Sequence, residues 1–137
     1  MARDKFHYEF RHALEIDGWI VTDDPLYLKI GKILLHIDLG AEKLIAAERK
    51  GEKVAIEIKT FGNVSFITAL YEAVGKYIIY RKALELLQPD RVLYLAIPVD
   101  TYLEFHNETV VQEVFEEGKF KIVLYDPDTE KIISWIK

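Results

Sequence analysis

Residues 53 to 97 restrict the possible folds of this chain more than any other stretch. Lys53-Val-Ala-Ile-Glu-Ile-Lys-Thr60 alternates Val54, Ile56 and Ile58 with Ala55, Glu57 and Lys59, the period of a strand with one buried face. Residues 66–87 then place Phe66, Leu70, Val74, Tyr77, Leu84 and Leu87 at helical spacing. Gln88-Pro89-Asp90 stops that helix, and Arg91 to Ile97 is strongly apolar, as in a central strand covered on both faces. A strand, a long helix and a second strand make a crossover, so the two strands are expected to run parallel. A chain of 137 residues holds one domain with one core. The expectation is therefore a single α/β domain over 1–137, a mixed sheet with helices on its faces.

The flanking segments fit that plan. Residues 4–16 read as an amphipathic helix with Phe6, Phe10, Ala13 and Leu14 on one side, stopped by Asp17-Gly18. Trp19 to Thr22 reads as a short strand, broken by Asp23-Asp24-Pro25. Leu26–Ile30 and Lys32–Ile37 read as strands about Gly31, with Asp38 closing the second. Ala41–Leu44 reads as one helical turn, and a hairpin is expected from 44–49 and 54–60 about Lys50-Gly51-Glu52. Beyond Ile97, Val99–Glu117 reads as one or two helices with Asn107 as an N-cap and Gly118 as the stop. Phe120–Tyr125 and Lys131–Ile136 form a last hairpin about Asp126-Pro127-Asp128-Thr129.

Composition excludes several classes. Half of the residues are hydrophobic and 30% charged, as in ordinary globular proteins. No apolar run is long enough to span a bilayer, and Met-Ala-Arg-Asp-Lys lacks the core of a signal peptide. With no cysteine there is no disulfide and no thiolate zinc site. These observations point to a cytoplasmic protein without a membrane partner. The net charge of −5 disfavours a strong, purely electrostatic grip on nucleic acid. Residues 101–130 carry eight acidic and two basic side chains, so most of that charge is local. The acidic segment faces either solvent or a basic partner.

Glu57 and Lys59 lie two residues apart on one strand and so point the same way. A metal-dependent phosphodiesterase needs such a pair: an acid to hold a divalent cation and an ammonium beside the attacking water. A solvated strand face has the same pattern, and the pair alone does not choose between them. Asp38 would supply a second hard oxygen and the Ile58 carbonyl a third, suited to Mg²⁺ or Mn²⁺. The plain alternative for Asp38 is a turn-forming carboxylate. Glu42 and Glu48 are rival acids near the same strands. His7, His12, His36 and His106 show no metal-ligand spacing. Tyr77 and Tyr80 are expected in core or interface packing, with base stacking as the alternative. Glu72 and Lys76 read as an i,i+4 pair on the more polar face of the long helix.

The order Asp38, Glu57, Lys59, followed by a helix and a further strand, resembles the PD-(D/E)XK nuclease superfamily. A narrower resemblance spans nearly the whole chain. Asp4-Lys-Phe-His7, Ala13-Leu14 with Asp17-Gly-Trp19, Asp24-Pro-Leu26, Ile37-Asp-Leu-Gly-Ala-Glu42 and Leu44-Ile-Ala-Ala-Glu48 are similar to stretches of the XisH family, the fdxN-element excision controlling factors. Ile56-Glu-Ile-Lys59, Gly75 with Tyr77 and Tyr80-Arg81, Leu95-Ala-Ile-Pro98, and Asp126-Pro127 with Trp135 continue the match.

The resemblance implies a restriction-endonuclease-like fold and an accessory role in programmed, site-specific excision of a DNA element. In that role the chain would assist a site-specific recombinase together with an XisI-type partner. A homo-oligomer is left open. The alternative is an active Mg²⁺- or Mn²⁺-dependent DNA endonuclease that uses Asp38, Glu57 and Lys59. The resemblance also implies that Glu9, on the first helix, completes the site, where a solvated helix residue is the plainer reading. One departure stands out: the family pattern places a glutamine before the helix tyrosine, and here Lys76 precedes Tyr77. A lysine reaches phosphate but cannot offer a glutamine's paired donor and acceptor.

Overall fold

The computed structural model describes residues 4–45, 50–61 and 65–137. The elements run α1 (His7–Ile16), β1 (Ile20–Asp23), β2 (Leu26–Ile30), β3 (Ile33–Ile37), β4 (Leu39–Ile45) and β5 (Lys50–Ile58). They continue as α2 (Phe66–Leu87), β6 (Arg91–Pro98), α3 (Val99–Phe105), α4 (Thr109–Glu117), β7 (Ile122–Asp126) and β8 (Lys131–Ile136). Six strands form one mixed sheet in the order β1-β4-β5-β6-β7-β8, and β2 and β3 form a separate ribbon.

The crossover read from the sequence sits at the centre of this sheet. β5 and β6 pair in parallel from Lys53 opposite Arg91 to Ile58 opposite Ala96, with α2 between them in the chain. β7 adds in parallel to β6, while β4 and β8 add antiparallel on the two sides. Both faces of the sheet are covered. Val54, Ile56 and Ile58 pack with Phe10, Leu14 and Tyr125 on the α1 side. Ala55, Leu93 and Leu95 pack with Ala73, Tyr77 and Leu84 of α2 and with Leu26, Leu28 and Ile37 of the ribbon. β5 is thus buried on both faces, not one. A strand flanked by β4 and β6 under two layers has no solvated side.

Three local expectations are corrected for tertiary reasons. Ala41–Leu44 is strand, not a helical turn, because Leu39 and Ala41 alternate into the α1-side core and β4 is paired on both edges. The hairpin to β5 exists, but Lys50 and Gly51 are already strand, paired with Ile45 and Leu44. Its connection, with Glu48, lies outside the described residues. The region after β6 is two helices, and Glu108 rather than Asn107 occupies the N-cap of α4. Gly118 ends α4 with an ordinary φ of −77°, and Lys119 takes the left-handed turn. A Cβ at Gly118 would overlap the Phe120 ring, so the glycine provides room there rather than backbone freedom.

Several motif residues prove structural. Trp19 and Trp135 both donate their indole N–H to Asp17 Oδ2, at 3.1 and 3.2 Å, which ties the end of α1 to β8. Asp24 takes His7 Nε2 at 2.8 Å and Arg11 Nη1 at 2.6 Å, which pins α1 to the entry of the ribbon. Tyr77 is buried, donates to the Leu93 carbonyl and accepts from the Lys121 amide, and stacks on Phe120. Tyr80 is 9% exposed, so packing rather than base stacking describes both tyrosines.

Candidate functional site

The site begins where the chain passes from the ribbon into the main sheet. Ile37 pairs with Leu26 in one ladder, and Leu39 pairs with Ile56 in the other. Both flanking side chains are fully buried, which leaves Asp38 at the junction. β4 stops pairing at Ile56, so the Ile58 amide has no strand carbonyl on that edge. Asp38 Oδ2 accepts it at 2.8 Å, a carboxylate standing in for a backbone acceptor. Asp38 therefore does the work of a structural carboxylate and also brings its charge to the carboxyl end of β5.

Glu57 is the penultimate residue of β5 and 4% exposed. Its carboxyl group is pushed up to about 8, by burial first and then by the neighbouring Asp38 charge, with Lys76 opposing. A carboxyl buried against a second acid keeps its proton well above the ordinary carboxylate range. Glu57 Oε1 is buried and accepts no hydrogen bond from the described residues.

The stripe of α2 that faces this end comes from spacing: Glu72, Lys76 and Tyr80 recur every four residues. Lys76 Nζ lies 3.5 Å from Glu57 Oε2. Lys59 follows the last strand residue and donates from its backbone to the Ala96 carbonyl. Its ammonium turns to Glu72 Oε2 at 2.6 Å. Glu72 and Lys76 thus each take a partner from the β5 end. The Tyr80 proton is held on by burial and then by the charges of Glu57 and Asp38.

Two further acids arrive from the N-terminal segment. Asp4 accepts the Thr60 amide and the Phe6 amide, each at 3.1 Å, which moors the start of α1 to the end of β5. Burial raises its pKa, with a contribution from Asp38. Glu9, on the first turn of α1, has a buried Oε2 that accepts no hydrogen bond from the described residues. The hydroxyl of Tyr125 is likewise buried, and its proton is held by burial and by the charges of Asp4, Glu9 and Asp38. Asp38 thus stands between two groups at the end of β5: Glu57 with Lys76 on the α2 side, and Asp4 and Tyr125, with Glu9 near Tyr125, on the α1 side.

Of the sequence-predicted residues, Asp38 and Glu57 meet, the Ile58 amide holds Asp38, and Glu9 lies near Tyr125 on the α1 side rather than against Glu57. Lys59 is adjacent but committed to Glu72. Glu42 is elsewhere, 3.8 Å from Lys53 at the opposite end of β5. Sequence reasoning missed Asp4, Tyr125 and the inward direction of Lys76. Asp4 had a signal, since it opens the stretch Asp4-Lys-Phe-His7. Tyr125 had none, because an aromatic in an apolar strand reads as core.

Among the described residues, no three His, Cys, Asp or Glu side chains are arranged as a ready-made metal cage. The donor set that does meet, two carboxyls with one oxygen unengaged, suits a hard cation that keeps much of its water, as Mg²⁺ does.

The fold and site define an α/β domain with a carboxyl pair, Glu57 buried and Asp38 half-buried, at the carboxyl end of its central parallel strands. Residues 1–133 match the family described as XisH protein, and the chain belongs to that family. A crystal structure of an XisH family protein from Nostoc punctiforme PCC 73102 is 40% identical, with a TM-score of 0.89 over 98% of this chain and 100% of that one. A fdxN element excision controlling factor protein from Anabaena variabilis gives the same identity, 40%, and the same TM-score, 0.89, over 98% and 100% of the two chains. Among curated proteins, none matches the chain.

Proposed function

We propose that this chain is a factor for excision of a DNA element, with a restriction-endonuclease-like fold of PD-(D/E)XK type. The observation that carries this reading is the meeting of Asp38 and Glu57 beside Lys59, in a chain 40% identical to a fdxN element excision controlling factor protein. The parallel β5–α2–β6 crossover beside an antiparallel β4, with α1 on the opposite face, supports the fold assignment.

The chain works with protein partners: an XisI-type protein and a site-specific recombinase. Two features support partnership. The outer side of α2 carries large apolar residues among its charges, with Tyr71 69%, Ile79 57% and Leu86 66% exposed, whereas a surface helix of a lone domain presents a mostly polar outer side. Between α2, the ribbon and the α4–β7 turn runs a groove of about 1120 Å³ lined by Ile33, Ile78, Ile79, Leu86 and Phe115. The net charge of −5 also fits a protein that reaches DNA through others. No helix among the described residues is long and apolar enough to cross a membrane.

Within the site, Asp38 and Glu57 would hold Mg²⁺ or Mn²⁺. Bound there, such an ion supplies Lewis acidity and a more acidic water. The chain's own residues do the rest. The Ile58 amide fixes Asp38, α2 and β6 exclude water behind Glu57, and Lys59 offers an ammonium to a phosphate. Glu9 and Asp4 add negative potential from the α1 side. Co-elution of the chain with an XisI-type protein tests the partner reading. Two well-folded proteins that do not associate at micromolar concentration would overturn it.

A second reading, an active DNA endonuclease, is favoured by the unengaged Glu57 oxygen. Incubation of duplex, single-stranded and branched DNA with Mn²⁺, beside Glu57→Ala, tests it. Cleavage that is absent, or equal in the variant, removes the nuclease and leaves the accessory factor.

A further inference from the structure

The charges between α2 and β5 alternate. Lys59 is held by Glu72 at 2.6 Å, and Lys76, one turn along α2 from Glu72, is held by Glu57 at 3.5 Å. The Lys76 side chain is half exposed at 49%, while that of Glu57 is 6% exposed. A flexible, largely solvated stem thus delivers a positive charge to a carboxyl that the fold has buried.

We propose that Lys76 is a tethered counter-cation: it holds the solvent side of Glu57 while the site is without a divalent ion, and an ion entering between Asp38 and Glu57 displaces it. The inference rests on reading Asp38 and Glu57 as a divalent-cation site and concerns how that site is regulated. Two observations and one physical principle carry it. Lys76 approaches Oε2, while Oε1 of the same carboxyl is buried and left without a hydrogen-bond partner among the described residues, so the ammonium engages one oxygen and the other is unpaired. An ammonium and a divalent ion on one carboxylate repel each other strongly at such separations. A displaced Lys76 also has somewhere to go. Glu72 is four residues back on the same helix and 51% exposed, and it already feels the charge of both lysines.

Glu72 makes the device a relay. Once shared with Lys76, it holds Lys59 less firmly. Ion entry and release of the Lys59 ammonium toward a phosphate are then linked events. Without an ion the two lysines are engaged by Glu57 and Glu72, and the site stays closed electrostatically.

Calorimetric titration of MnCl₂ alone into wild type, Lys76→Met and Glu57→Gln tests the proposal, with Lys76→Gln as a second variant should the first fold poorly. Removing a like charge a few ångströms from the ion should tighten Mn²⁺ binding at least about tenfold in Lys76→Met. Glu57→Gln should abolish binding in either background. A second readout follows the lysine itself: the Lys76 Nζ resonance should shift when Mg²⁺ is added to wild type, and Lys59 Nζ should follow. Binding to Lys76→Met that is no tighter than to wild type, with Glu57→Gln still abolishing it, leaves the cation site standing and overturns the role of Lys76. Absence of binding to both wild type and Lys76→Met overturns the cation site and this inference together.

Discussion

The two ends of the β5–β6 pair each bury an ionisable group, and they treat it in opposite ways. At the amino end, Arg91 is 9% exposed. Its guanidinium donates to the Val54 carbonyl at 2.8 Å and to Gln88 Oε1 at 2.9 Å, with Asp23 Oδ2 3.9 Å away. Gly40 supports this arrangement, since a Cβ there would stand 3.0 Å from the Arg91 guanidinium and from Asp23. At the carboxyl end, Glu57 is more deeply buried. It lies against a second acid and keeps one oxygen that accepts nothing from the described residues. A buried charge whose fold supplies every partner holds the structure together. A buried acid left partly unsatisfied, and so pushed to keep its proton, costs stability once it ionises, and such a cost points to a use outside folding.

That contrast can be broken or sharpened by substitution. The largest stability effect should come from Arg91→Met. It leaves the Val54 carbonyl and Gln88 without a charged donor, and should cost about 2–3 kcal/mol in urea unfolding at any pH from 5 to 8. A loss below about 0.5 kcal/mol would mean that the amino end is no more structural than the carboxyl end.

Glu57→Gln should behave in the opposite way. In the folded chain Glu57 keeps its proton up to about pH 8, against 4.5 for its ordinary value. Between those values the folded state binds a proton that the unfolded state has released. The stability this proton contributes is therefore full below about 4.5 and lost as pH rises through about 8. Wild-type stability should decline across that window, and Glu57→Gln should flatten the decline, gaining about 1–3 kcal/mol over wild type at pH 8.5. A wild-type profile rising from pH 5 to 8, unchanged in the variant, would contradict the raised Glu57 carboxyl.

Asp38→Asn is a smaller change. The amide oxygen still accepts from Ile58, while the charge that gives the second-largest push on Glu57 is gone. The Glu57 carboxyl, followed by carbon NMR, should titrate below about 8 yet stay above 4.5, because burial remains. Return to 4.5 would assign the whole shift to charge. The smallest effect belongs to Lys53→Ala. Lys53 is 40% exposed, with Glu42 at 3.8 Å and Asp90 at 3.4 Å, and such surface pairs are worth about 0–1 kcal/mol. A larger loss, read from the same urea curves, would show that charge at the amino end matters even where water reaches it.

Local order determined much of this protein. The period of residues 66–87 and the breaker at Gln88-Pro89-Asp90 give α2 its observed limits, and the apolar run after it gives a covered strand parallel to β5. These signals are legible because they repeat over several turns or sit at fixed offsets from a stop. Asp38, Glu57 and Lys59 were likewise legible as residue types in an order, and the first two do meet. Other features depended on partners far along the chain. Ala41–Leu44 became strand because β1 and β5 pair with it on both edges. Glu57 became buried because α2 and β6 close over it. Asp4 reached Thr60 across 56 residues, and Lys76 left its helix neighbour Glu72 for a carboxyl on another element. Spacing along a chain says which side chains share a face. Which charge loses its water, and what stands opposite it, depends on contacts between distant segments, and those exist only once the sheet and its two layers have closed.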